Sequence, residues 1–175
     1  MNILFSDKTG TITEGKLSVV DFFLGDGTLY AATGETDAPD FDTMSDSLKA
    51  EIINGIGLNN DAMVADGNAV GSNATDRALD FDTNTITEKQ QFNSATKFAS
   101  VTTNDGKTYI KGAPEFILND CYYYLDKDGH KQNFTDDIKA RFQELSLEQA
   151  NRSMRLLAIL NTDGNDKVLI GIVCI

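Results

Sequence analysis

Several short runs of the chain alternate apolar and polar residues, and this period of two predicts β-strands. Strands are predicted over 16–24 and 28–31, on either side of Gly25-Asp26-Gly27, and as two strands within 86–101 around Phe92-Asn93-Ser94. The remaining predicted strands are 108–111, 122–125, 154–161 and 168–175. A turn at 126–129 predicts a hairpin after the strand 122–125, and 162–165 joins the two closing strands.

Other segments carry apolar residues at helical spacing. Helices are predicted over 45–58 behind a Ser45 cap, from Asn73 onward, over 113–119 with Pro114 in the first turn, and over 135–153. The longest helix is expected to begin at a Thr135-Asp136 cap and to turn one face inward, formed by Ile138, Phe142, Leu145 and Ala150. Hairpins mixed with helices predict an α+β fold, a mainly antiparallel twisted sheet flanked by helices.

Length and charge limit what such a domain can bind. A chain of 175 residues suits one domain, or one domain with a fragment of another. The formal net charge of −12 argues against nucleic acid or an anionic membrane surface as a partner, because both would be repelled. An anionic small ligand would therefore need a local cluster of cations.

The cysteines and hydropathy indicate a cytosolic environment. Cys121 and Cys174 are far apart and lack ligand-like histidine spacing, so we expect reduced, buried thiols. The only histidine, His130, lies in a polar turn and is expected to be solvated. No window approaches the roughly 20 apolar residues of a membrane helix, and no signal peptide is recognisable.

The first string with chemical meaning follows the apolar run Asn2-Ile3-Leu4-Phe5-Ser6. It reads Asp7-Lys8-Thr9-Gly10-Thr11-Ile12-Thr13 and places a carboxylate just beyond a short strand, where open α/β sheets carry their chemistry. A carboxylate there can attack a phosphoryl group, Lys8 can neutralise phosphate charge, and the turn can offer backbone N–H groups to phosphate oxygens.

The second string is Lys111-Gly112-Ala113-Pro114-Glu115. A strand ends in a lysine, a glycine allows close approach of backbone or ligand, and a proline opens a helix. An ammonium group at this position can bind an anion, although a well-formed turn with a solvated lysine would have the same sequence.

Together, in this order, the two strings closely resemble the phosphorylation loop and the nucleotide-domain signature of P-type cation-transporting ATPases. The resemblance covers the whole chain and implies binding of ATP. It places Glu51 at the adenine amino group and Phe92 on the adenine ring, and it assigns Ser94, Lys97, Lys111, Gly112 and Arg155 to the nucleotide pocket. The chain lacks the arginine that the family usually has beside Ser94, which shifts phosphate contacts onto Lys97, Lys111 and Arg155.

For catalysis, the resemblance implies that Asp7 accepts the γ-phosphoryl group. Lys8 and Thr9 would support it, with Asp7 and Thr9 as part of a Mg²⁺ site. Hydrolytic relatives carry a second acid two residues after the nucleophile, where this chain has Thr9, so the aspartyl-phosphate would persist. The family's Thr-Gly-Asp and Gly-Asp-Gly-x-Asn-Asp strings are absent from the sequence. We therefore expect weak ATP binding without turnover.

The implied organisation is a piece of a phosphorylation domain at 1–14 and a nucleotide-binding domain at 15–175. Its partners would be the phosphorylation, actuator and transmembrane domains of the same polypeptide, and the fragment itself would be monomeric. The implied location is the cytosolic side of a bacterial plasma membrane. The string at Lys111 and the long helix before Arg155 look most like calcium pumps, so Ca²⁺ is the first expectation for the transported ion and Mg²⁺ or H⁺ the next.

Two other functions are compatible with such a chain. One is a soluble phosphatase of the haloacid-dehalogenase type, against which Thr9 and the absent downstream strings argue. The other is a non-enzymatic interaction module that keeps the fold without the nucleotide. A phosphate-release assay tests the first, and an ATP titration tests the second.

Overall fold

A computed structural model describes residues 20–31, 43–58, 63–65, 68–70, 86–152 and 154–175. The expectations for Asp7, Lys8, Thr9 and the helix from Asn73 lie outside these residues. No helix within the described ranges is long and apolar enough to cross a lipid bilayer.

Three helices lie in the described residues: α1 (Asp46–Gly57), α2 (Pro114–Ile117) and α3 (Asp136–Asn151). Ser45 caps α1 as predicted, because its Oγ accepts a hydrogen bond from the backbone N–H of Leu48 at 3.2 Å. Pro114 occupies the first turn of α2, where a missing N–H leaves no bond unmade. Thr135 stands at the N-cap of α3, but its side chain makes no capping hydrogen bond, so that detail of the prediction is wrong.

Eleven strands are described, nine of them in one sheet. They are β1 (Asp21–Phe23), β2 (Leu29–Ala31), β3 (Met63–Ala65), β4 (Asn68–Val70), β5 (Ile86–Asn93), β6 (Phe98–Thr103), β7 (Thr108–Gly112), β8 (Cys121–Leu125), β9 (Lys131–Asn133), β10 (Leu156–Asp163) and β11 (Asp166–Cys174). The sheet runs in the order β2-β1-β11-β10-β7-β6-β5, with β8 paired to β11 and β9 to β8. Every pairing is antiparallel except that of β8 with β11, which confirms the predicted mainly antiparallel sheet flanked by helices.

The central strands are buried on both faces and divide the core into two clusters. Along β11, Val168 and Ile170 pack with α1 in one cluster, whereas Leu169 and Ile172 pack in the other with Phe142 of α3. Neighbouring side chains of a strand point to opposite faces, which separates Val168 and Ile170 from Leu169. The register of β10 and β11 then shifts at Ile170, between the pairs Leu160–Leu169 and Ile159–Gly171, so Ile172 lies on the same face as Leu169. The sheet is therefore covered by α1 on one side and by α2 and α3 on the other.

The structure corrects several boundaries. The first strand is shorter than predicted within the described residues, since β1 starts at Asp21, and the β3–β4 hairpin was not predicted. On α3, Phe142 is buried as expected, but Ala150 is exposed and Gln149 is buried in its place.

Smaller expectations are confirmed. His130 is exposed, and the tyrosine run divides into an exposed Tyr122 and a buried Tyr124. Cys121 and Cys174 are both free and buried.

Candidate functional site

Four neighbouring strands bring most of the predicted nucleotide residues to one end of the sheet. The register aligns Asn93 of β5 with Phe98 of β6, Phe98 with Gly112 of β7, and Gly112 with Ala158 of β10. Phe92, Lys97 and Lys111 are sequence neighbours of these aligned residues, and Arg155 immediately precedes β10. Because adjacent strands lie about 4.8 Å apart, the row spans about 14 Å from β5 to β10.

A cleft of about 1260 Å³ opens at this end of the sheet. Five of the predicted nucleotide residues line it, namely Phe92, Lys97, Lys111, Gly112 and Arg155. Further lining comes from α2, from one side of α3 and from Leu156 and Leu157 of β10. Such a cleft has ample room for a nucleotide, because sites for small ligands measure roughly 300–1,000 Å³.

The cleft has the opposite charge from the protein as a whole. Its lining contains four cations, Lys97, Lys111, Lys139 and Arg155, and one carboxylate, Glu115, which leaves three positive charges. The full chain carries −12. The local cation cluster that an anionic ligand would require is therefore present.

Phe92 offers its ring to this cleft. Its side chain is 60% exposed among the described residues, at the end of the edge strand β5. A phenylalanine that packed in the core would be buried. An exposed ring on the wall of a cleft can stack on a base, an interaction worth about 1–3 kcal/mol.

The turn before β6 is held in an unusual conformation. Lys97 has φ of 63°, the one positive φ outside glycine in the described part of the chain. Its backbone N–H donates to Asn93 O at 2.7 Å, and its own carbonyl accepts from the backbone N–H of Ala113 at 3.2 Å. Left-handed backbone at a non-glycine residue costs of order 1–3 kcal/mol and persists only where surrounding contacts impose it.

Gly112 lets this turn approach β7. A Cβ at Gly112 would lie 2.6 Å from the carbonyl oxygen of Lys97 and 2.7 Å from Cβ of Phe98. The glycine is therefore required for the close approach that sets Lys97 beside the end of β7. Gly112 contributes to the cleft because it has no side chain that would collide with the turn.

Arg155 is fixed through its backbone at the other side of the row. Its N–H donates to Ile175 O at 2.8 Å, and its carbonyl accepts from Ile175 N–H at 2.9 Å. No described carboxylate forms an ion pair with the Arg155 guanidinium.

Two predicted residues lie apart from the cleft. Glu51 accepts hydrogen bonds from Lys107 Nζ and Asn161 Nδ2, both at 2.6 Å, so its two oxygens are engaged within the protein. Lys107 precedes β7 and Lys111 lies near its end, a separation of about 14 Å along an extended strand. The adenine contact expected of Glu51 does not fit this placement. Ser94 lies in the β5–β6 turn and does not line the cleft.

One cation of the cleft was missed from the sequence. Lys139 of α3 lines the cleft, and its Nζ lies 5.0 Å from the ring centroid of Tyr122 and 5.6 Å from that of Phe134. The spacing of apolar residues predicted which face of α3 packs on the core, and the polar residues of this helix were then expected to face solvent. The stripe Lys139, Gln143, Ser146, Leu147 and Ala150, all on the cleft, was a signal that could have revealed this second face.

Comparison with known proteins identifies the family. Residues 48–168 match the model of the P-type ATPase cytoplasmic domain N. The chain belongs to this family. It is 30% identical to calcium-transporting ATPase 1 of Yarrowia lipolytica over 94% of this chain and 21% of that protein. A calcium-transporting ATPase of Listeria monocytogenes is 29% identical over 90% of this chain and 19% of its own length.

A further relative fits the same pattern. Calcium-transporting ATPase 1 of Lactococcus lactis is 28% identical over 98% of this chain and 22% of that protein. The domain N chain thus spans about a fifth of the length of these relatives. They come from a yeast and from bacteria, so the expected bacterial origin stays a prediction.

Proposed function

We propose that this domain N chain binds ATP in the cleft at the ends of β5, β6, β7 and β10, as the nucleotide-binding part of a calcium-transporting ATPase. One observation carries the proposal: an exposed ring and four cations line one cleft in a protein with a net charge of −12. In the proposed mode, the adenine stacks on Phe92, and Lys97, Lys111 and Arg155 contact the phosphates.

Chemistry would take place on Asp7, in the string preceding the described residues. Its carboxylate oxygen would attack the γ-phosphorus of ATP, forming an aspartyl-phosphate and releasing ADP, while Lys8 neutralises phosphate charge. A carboxylate and a hydroxyl are oxygen ligands of the type Mg²⁺ takes, so Asp7 and Thr9 suit part of a Mg²⁺ site. Bound there, Mg²⁺ would neutralise charge that develops on the phosphates.

The division into a phosphorylation-domain piece at 1–14 and a nucleotide-binding domain at 15–175 belongs to this proposal. So does attachment to the remaining phosphorylation, actuator and transmembrane domains of one polypeptide in the plasma membrane. The proposed transported ion is Ca²⁺, which the names of the relatives support.

An ATP titration of the 175-residue chain, followed by NMR, tests the binding. We expect signals of Phe92, Lys97 and Lys111 to shift together on one binding curve. Phe92→Ala should weaken ATP binding about 5- to 150-fold, the loss of one stacked base. Phe116→Ala is the matched control, because Phe116 is 50% exposed but does not line the cleft.

Absence of any shift at the cleft up to millimolar ATP would refute the proposal and favour the interaction module. Incubation with γ-labelled ATP addresses the chemistry separately. We expect no label on Asp7 and no phosphate release from the chain alone, and rapid phosphate release would favour a soluble phosphatase instead.

A further inference from the structure

An ion pair with a buried carboxylate connects the segment that carries Arg155 to β1 of the sheet. Arg152 Nη1 donates to Asp21 Oδ2 at 2.9 Å and to Gln149 Oε1 at 2.8 Å. The Asp21 side chain is 4% exposed and that of Arg152 is 49% exposed. The carboxylate therefore sits inside the protein, and the guanidinium covers it from the surface.

The connection from α3 to β10 is short and tied at both ends. At the helix end, the Arg152 N–H donates to Glu148 O at 3.2 Å and to Gln149 O at 3.1 Å, and the Met154 N–H donates to Gln149 O at 3.2 Å. At the strand end, Arg155 exchanges both of its backbone hydrogen bonds with Ile175. Through Asp21, the side chain of Arg152 also joins the helix end of this connection to the sheet.

Asp21, the partner of Arg152, lies in β1, a strand with which the backbone of the connection forms no hydrogen bond among those described. Asp21 begins β1 and aligns with Cys174 of β11, next to Ile175. The ion pair therefore fixes the connection to β1, and the Arg155–Ile175 pair fixes it to the residue directly after β11. Loss of the ion pair would leave the helix end of the connection held by backbone hydrogen bonds to Glu148 and Gln149, without a tie to β1.

We propose that Asp21 and Arg152 are positioning residues for the nucleotide site, holding the connection so that Arg155 points into the cleft. The inference rests on the proposed function, since it assigns Arg155 to phosphate. Both residues act through Arg155, and neither lines the cleft. Salt bridges with one buried partner are sensitive to loss of the other, because a buried charge is left uncompensated.

The test is a double-mutant cycle on ATP affinity, measured by calorimetry on the 175-residue chain. We expect Arg155→Met to weaken ATP binding about tenfold, the effect of one charge-assisted contact. Asp21→Asn should weaken it about three- to tenfold, less than loss of the cation itself. In the Arg155→Met background, Asp21→Asn should have no further effect, because residues that act as one unit are not additive.

Two further readouts separate positioning from general loosening of the fold. Adenosine, which has no phosphate, should bind Asp21→Asn and the unmodified chain equally. Arg152→Lys, which keeps the charge opposite Asp21, should retain more ATP affinity than Arg152→Met, and this pair serves if Asp21→Asn fails to fold. Asp163→Asn, which removes a carboxylate partner of Lys131 at the far end of β10, is the control and should bind ATP normally.

The inference is overturned if Asp21→Asn weakens binding equally with and without Arg155, if adenosine affinity falls in parallel, or if Asp21→Asn and Arg152→Met bind ATP like the unmodified chain. A normal affinity of Arg155→Met would refute the phosphate role of Arg155, and the positioning role with it. Absence of ATP binding by the unmodified chain would show instead that the proposed function itself is wrong.

Discussion

At the scale of single residues, Lys97 combines a strained backbone with a cation of the cleft. Its φ of 63° suits glycine far better than lysine. We expect Lys97→Gly to raise the free energy of unfolding by about 1 kcal/mol, because glycine adopts this backbone without a Cβ penalty. The same substitution removes an ammonium group and should weaken ATP binding. Urea unfolding and calorimetry measure the two effects.

Lys97→Ala separates strain from charge. Alanine keeps a Cβ and therefore the strain, so Lys97→Ala should be less stable than Lys97→Gly while losing the same cation. If both variants unfold at the same urea concentration, the left-handed backbone at residue 97 carries no strain.

The two thiols give a second prediction at this scale. Burial raises the pKa of Cys121, and burial together with the Asp21 carboxylate raises the pKa of Cys174 to about 12. Thiolate is the reactive form of cysteine, so both residues should resist a disulfide reagent at pH 8 and react only after unfolding. Rapid labelling of either thiol in the folded chain would show that this thiol is accessible to solvent and not buried.

At the scale of elements, the hairpin of β8 and β9 depends on one carboxylate. Asp126 Oδ1 accepts hydrogen bonds from the backbone N–H groups of Asp128 at 3.0 Å and His130 at 2.9 Å, and Oδ2 accepts from Gln132 Nε2 at 2.8 Å. Burial opposes ionisation of Asp126, but these hydrogen bonds outweigh it and lower its pKa. The turn is therefore stabilised by the ionised form.

A depressed pKa in the folded state fixes the sign of the pH dependence. The stabilisation by Asp126 is complete above the unfolded pKa of about 4 and is lost as pH falls through the lower, folded value. Asp126→Asn should destabilise the chain at pH 7 by about 1 kcal/mol and show less additional loss between pH 4 and pH 2. Thermal unfolding of Asp126→Asn and of the unmodified chain between pH 2 and pH 7 measures this difference in stability. An unchanged acid profile in Asp126→Asn would show that the carboxylate does not stabilise the turn.

The same elements show how far sequence reasoning reaches. Lys111 and Gly112 were predictable because a strand end, a glycine and a helix start follow one another within a short string. The position of Glu51 outside the cleft was not predictable, because its partners, Lys107 and Asn161, depend on how α1 packs against the sheet. The contact between Asp21 and Arg152 joins residues 131 positions apart, and no local pattern encodes it.

At the scale of the whole molecule, an anion such as ATP is repelled by the acidic residues far from the cleft and attracted by the cations that line it. The Debye length is about 8 Å at 0.15 M salt and about 30 Å at 0.01 M. At physiological ionic strength, ATP therefore experiences mainly the nearby cations. At low ionic strength, the remote carboxylates also reach the cleft and repel the ligand.

This balance predicts that removing acidic residues far from the cleft raises the association rate of ATP, and that the increase depends on salt concentration. Asp105→Asn, Asp163→Asn and Asp166→Asn together remove three charges at the β6–β7 and β10–β11 turns, at the opposite ends of these strands from the cleft. The triple variant should bind ATP faster than the unmodified chain at 0.01 M salt and at nearly the same rate at 0.15 M. Stopped-flow association measures both conditions. An equal gain at both salt concentrations would mean that these carboxylates lie close enough to act on the ligand directly, and the cleft would then be less positive than its lining suggests.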